Sequence, residues 1–131
     1  MRLTIWLLML VGLAGCNEQA VDYPRQTPPA GYQSSESVKY GADLFLRLCA
    51  RCHGDTAEGR SPRADFFSPP APDFKSRHYA AVDPAYLYWR IAKGKTVEPF
   101  LSSGSVMPNW EPHFTPGQLW SLVAYLQTRH Q

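Results

Sequence analysis

The stretch Val38 to His53, VKYGADLFLRLCARCH, decides how the rest of the chain is read. Apolar or small side chains fall at Val38, Gly41, Ala42, Phe45, Leu48, Cys49 and Cys52, every three or four residues, while Lys39, Asp43, Arg47 and Arg51 take the other side. The spacing predicts an amphipathic helix running into Cys49-Ala50-Arg51-Cys52-His53. Two cysteines three positions apart, with histidine beside the second, can offer two thiols to one edge of a planar ligand and an imidazole to its centre. That is the attachment pattern of c-type haem: the thiols add to the two vinyl groups as thioethers, and His53 turns toward the iron as proximal ligand.

Two other readings of the cysteines fail on the surrounding sequence. A zinc half-site needs a second ligand pair at suitable spacing, and there is none. A thiol-disulfide active site normally follows a strand in a βαβ pattern, and no convincing strand occurs anywhere in the chain.

A low-spin electron-transfer haem needs a sixth ligand, and a neutral thioether favours the ferrous state and raises the potential. Met107 stands in a loop before Pro108, whose ring restricts the backbone around the sulfur. The imidazoles of His78, His113 and His130 are the remaining candidates; the first two fall in loops and the third one residue from the end of the sequence.

Outward from this centre, Met1-Arg2 and an apolar run from Leu3 to Ala14 have the layout of a secretory signal, short for a membrane span. Leu13-Ala14-Gly15-Cys16 resembles the lipobox of bacterial lipoproteins, which implies cleavage before Cys16 and lipid on its thiol. On that reading residues 1–15 are a signal peptide, which also removes Met1 and Met9 and leaves Met107 as the sole methionine. Cys16 then carries lipid while Cys49 and Cys52 carry haem, so no thiol stays free. Residues 16–36 contain Pro24, Pro28 and Pro29 without apolar period and are expected to form an extended, mobile linker.

The remaining domain, 37–131, is expected to be all-α, with three main helices and long loops. Asp83-Pro84 signals the second helix, a side-chain cap followed by proline in the first turn, ending near Gly94 with Leu87, Tyr88 and Ile91 inward. Thr115-Pro116-Gly117-Gln118 has the form of a capping box and opens the third. Leu119, Leu122, Val123 and Leu126 form its inner stripe, with Trp120 and Tyr125 at the margins. A core of this size wrapped in proline-rich loops is marginal unless a cofactor fills its centre.

With these features in place, residues 37–131 resemble the class I cytochrome c family across the whole domain, which implies the cytochrome c fold around one covalent haem c. Gly41 and Phe45 resemble the family's glycine and aromatic at the crossing of the terminal helices, with Leu122 and Tyr125 as their partners on the last helix. Pro62 resembles the loop proline whose carbonyl accepts a hydrogen bond from the proximal histidine's Nδ1–H, although Pro69, Pro70 or Pro72 could serve. Trp110 is a candidate to pack on the haem edge or donate to a propionate. Arg60, Arg63 and Lys75 are candidate propionate partners.

The expected function is one-electron transfer at the periplasmic surface of a bacterial membrane, between a donor and an acceptor protein, without a small-molecule substrate. A fixed subunit of a larger membrane oxidoreductase is the alternative. A ligand sensor or peroxidase is a third reading, for which no distal His/Arg acid–base set is identifiable. Nucleic acid is excluded as a partner, because 13 Lys+Arg against 11 Asp+Glu, with no basic cluster, gives little to neutralise phosphates.

Overall fold

The architecture follows from a C-terminal helix that finds a partner on nearly every side. The structure, a computed structural model, describes residues 21–98 and 100–130. The expected signal peptide (1–15) and the lipidated Cys16 lie outside the described residues. Among the described residues five α-helices are formed: α1 (Ser35–Leu48), α2 (Ala50–His53), α3 (His78–Ala81), α4 (Pro84–Lys93) and α5 (Pro116–Thr128), with a 3-10 turn at Pro62–Ala64. No strand occurs among the described residues. The three expected helices are α1, α4 and α5. The first is broken at Cys49, so that the Cys-to-His turn forms a separate short piece, closed by Gly54 at φ +76°.

Each main helix begins where its side chains satisfy free backbone N–H groups. Ser34 Oγ accepts from Ser37 N–H, Asp83 Oδ1 from Ala85 N–H, and Thr115 with Gln118 completes the capping box in both directions. Helix α5 then runs buried from Leu119 through Leu126, including Trp120 and Tyr125. Those two are not marginal because α5 is covered by more than one neighbour: α1 makes the most extensive contact, and α3 and α4 add theirs.

Helix α1 crosses α5 at Gly41, where a Cβ would lie 1.9 Å from the Ser121 carbonyl oxygen. Only a hydrogen there lets the two backbones meet. Phe45, 2% exposed, packs beside the crossing with its ring 5.3 Å from that of Tyr125. On α4 the buried side holds Leu87 and Ile91 as expected, and Tyr88 packs on Trp120, yet Trp89 and Arg90 are buried as well.

What covers Trp89 corrects the expected linker. Residues 21–29 have no regular structure, 30–33 turn and 35–36 already belong to α1, yet the segment is not free: Tyr23 stacks on Trp89 at 5.7 Å, and its hydroxyl donates to Asp83 Oδ2 at 2.6 Å. Arg25 pairs with the same carboxylate, while Tyr32 packs edge-on against Trp120 and donates to Gln127 Oε1. The segment is a strap held by two tyrosines, so its contacts with the domain expected at 37–131 begin at Tyr23. Burial of aromatic area outweighs the lack of secondary structure in this stretch.

Candidate functional site: a cavity between the helices

Four residues that the sequence sets apart in two places line one cavity of about 220 Å³: Cys49, Cys52, His53 and Met107. Its walls are otherwise apolar. Phe45 of α1, Ile91 of α4, and Leu122 and Leu126 of α5 line it, together with Phe74 and the proline-rich loop at Pro69, Pro70 and Pro72. Trp110 lines it too, stacked on Phe114 at 5.3 Å.

The short helix α2 presents the first three. Burial beside the second cysteine pushes the Cys49 thiol up to about 12, so it stays protonated; a thioether, which bears no charge, suits such a position better than a thiolate. His53 is held down at about 4 by burial first, then by the positive charges of Arg129 and Lys95. Its imidazole is therefore neutral at ordinary pH, with lone-pair density available for a metal. Its ring lies 5.0 Å from that of Phe74 and 6.2 Å from that of Phe45.

His53 Nδ1 is buried and has no hydrogen-bond partner. The expected bond to Pro62 is thus not formed: Pro62 opens the 3-10 turn, its carbonyl accepts from Asp65 N–H at 3.2 Å, and it does not line the cavity. The tight turn directs that carbonyl along its own axis. A neutral imidazole, two thiols and a thioether around one apolar cavity fit a planar, apolar metal macrocycle with two reactive edge groups, which is what a haem presents.

Met107 reaches the cavity on a loop suspended from the end of α4. Lys95 N–H donates to Met107 O at 3.1 Å, and Ala92 O accepts from both Trp110 and Glu111 N–H. Lys93 and Glu111 add an ion pair. Gly94, at φ +61°, makes the suspension possible, since a Cβ there would lie 2.2 Å from Pro108 O and 2.5 Å from Met107 O.

The expected propionate partners are not at the cavity. Arg60 pairs with Asp65, Lys75 donates to Ala57 O, and Arg63 is exposed on the 3-10 turn. The cations that line the wall are Arg51 and Lys95. No histidine other than His53 lines it, so His78, His113 and His130 offer no rival ligand there. Sequence reasoning also missed Phe74, which carries no periodic signal in its loop, and Arg129, which is buried at the end of α5.

Comparison with known proteins bears on the family and the fold. Residues 36–126 match the family model described as cytochrome c oxidase, cbb3-type, subunit III. The chain is 28% identical over 108 residues to the cbb3-type cytochrome c oxidase subunit FixP of Azorhizobium caulinodans, covering 82% of this chain and 32% of the relative. It therefore spans about a third of that curated protein's length. In fold it is similar to cytochrome cL of the marine methylotroph Methylophaga aminisulfidivorans, at a TM-score of 0.56 and 15% identity over 87% of this chain and 71% of that one.

Proposed function

The chain belongs to the c-type cytochrome family described as cytochrome c oxidase, cbb3-type, subunit III, and from that premise we propose a His53/Met107 electron-transfer site at a membrane surface. It carries one haem c, covalently attached through Cys49 and Cys52, and serves in one-electron transfer rather than as an enzyme with a substrate of its own. When bound, the haem supplies an iron that gains or loses a single electron, with no leaving group to manage.

The chain's residues prepare that exchange. Cys49, the N-cap of α2, and Cys52 within it would hold the macrocycle by thioethers, with His53 and, from its loop, Met107 as the residues that would ligate its iron. Phe45, Phe74, Ile91 and Leu122 keep water from the iron. The carrying observation is that both ligands and both thiols open on one apolar cavity.

Cys16 bears lipid after removal of residues 1–15, which places the domain on the periplasmic side of a bacterial membrane. The lipobox-like LAGC supports this reading. Among the described residues no helix is long and apolar enough to cross a membrane. Donor and acceptor are redox proteins. The similarity to an oxidase subunit supports a second reading, in which the domain is a permanent part of a larger oxidoreductase.

The ligand pair is tested by optical spectroscopy of the purified holoprotein. A low-spin c-type spectrum when reduced, and a weak far-red sulfur-to-iron band when oxidised that disappears in Met107→Ala, are expected. A far-red band that survives the substitution would remove Met107 from the iron. Labelling with radioactive palmitate, abolished by Cys16→Ser, tests the anchor. Purification in mild detergent separates the readings of partnership, since a monomer at every step rules out the permanent subunit.

A further inference from the structure

Arg129 does not line the cavity, yet among the described residues it is one of the most deeply buried charges, 6% exposed. Its guanidinium gathers carbonyls from the segment that follows the haem-attachment turn. Nη2 donates to Asp55 O at 2.6 Å and Glu58 O at 2.7 Å, and Nη1 to Gly54 O at 3.3 Å and to His53 O at 3.5 Å. The cation also lies 4.5 Å from the centroid of Phe45, whose ring faces His53. Carbonyl oxygens satisfy its hydrogens but bring no opposite charge. Among the described residues no carboxylate pairs with it; Asp55 and Asp73 act on it only at longer range.

We infer that Arg129 is a positioning residue that clamps the His53–Glu58 segment, and that its unneutralised charge raises the reduction potential of the haem held by His53. The inference rests on the haem reading above. The ferric site carries one more positive charge than the ferrous one, so a fixed cation buried beside the proximal histidine disfavours oxidation. The low-dielectric wall of Phe45 and Phe74 between them screens this less than water would.

Two roles are joined in one side chain, and substitution can part them. Arg129→Lys keeps the charge and loses most of the carbonyl clamp; Arg129→Met loses both. Midpoint potential and thermal unfolding are measured on the purified holoproteins. Both variants are expected to melt earlier. At a fixed solution potential Arg129→Met should have a ferric-to-ferrous ratio about tenfold higher than the wild type, about 59 mV for one electron, while Arg129→Lys stays within about twofold. If Arg129→Met does not fold, Arg129→Gln, neutral but still a donor, should show the same shift. An unchanged potential in the neutral variant, with its far-red band intact, overturns the inference, as does a lysine variant shifted as far as the methionine one. Absence of the far-red band in the wild type overturns the ligand pair instead, so the two failures are distinguishable.

Discussion

A single hydrogen atom at position 41 allows the terminal helices to meet, because any Cβ there would lie 1.9 Å from Ser121 O and 2.5 Å from its carbonyl carbon. The obstacle is backbone, which cannot rotate away. Gly41→Ala should therefore destabilise the protein by about 3 kcal/mol or more, the upper end for overpacking, measured by denaturant unfolding of the oxidised form. Gly94→Ala should cost less in stability but more in function. The new methyl group at φ +61° would push on Met107 O and Pro108 O, and the expected result is a weakened far-red band in the ferric spectrum. The first glycine was legible through its resemblance to the glycine at the helix crossing of the cytochrome c family. The second was legible only as the end of a helix, because capping chemistry is local and says nothing of which distant loop will settle on it. Arg129 left no sequence signal at all, since a basic residue in the last turn of a helix is ordinarily solvated.

At the level of elements, the ends of α4 and α5 were readable because a cap side chain and a proline act within four residues. Thr115→Ala, which removes one arm of the capping box, should cost about 1 kcal/mol in unfolding free energy. The strap was not readable, because Tyr23 and Tyr32 have no period and take their meaning from Trp89 and Trp120, far along the chain. Its latch depends on pH in a fixed direction. The Asp83 carboxyl is held below its ordinary 3.8, first by the Tyr23 hydroxyl, against some opposing burial, then by the Ala85 N–H and the Arg25 charge. A group lowered on folding contributes fully above its unfolded value and loses that contribution as pH falls through the folded one. The strap should accordingly stay docked at neutral pH and loosen below about pH 3.8. Amide exchange at residues 21–25 would show this, with Tyr23→Phe loosened already at pH 7.

For the molecule as a whole, the aromatic and aliphatic side chains facing the cavity have no other layer behind which to hide. Phe45, Ile91, Leu122 and Leu126 belong at once to the helix core and to the cavity wall. Removing the haem, by Cys49→Ala with Cys52→Ala, should abolish cooperative unfolding and the near-ultraviolet aromatic signal, not merely the colour. The fold class and the covalent site were legible for this reason: the cofactor motif, the helix periods and the meagre core all required each other. The cavity's polar fittings were not, because Arg60 and Lys75 turn to other partners and Arg63 is exposed on the 3-10 turn, whereas Lys95 arrives from the loop that follows α4.

The docked strap also changes the geometry of diffusion. With lipid on Cys16, as proposed, seven residue steps separate it from Tyr23, where the strap docks, a contour of about 25 Å at full extension. A free linker ending at residue 36 would be about three times longer in contour. A protein so tethered would not sample the volume of its compartment; it would meet partners by lateral encounter over the bilayer. Its electron traffic would then depend on how densely partners are laid out in the plane of the membrane and on how high above it their redox centres stand.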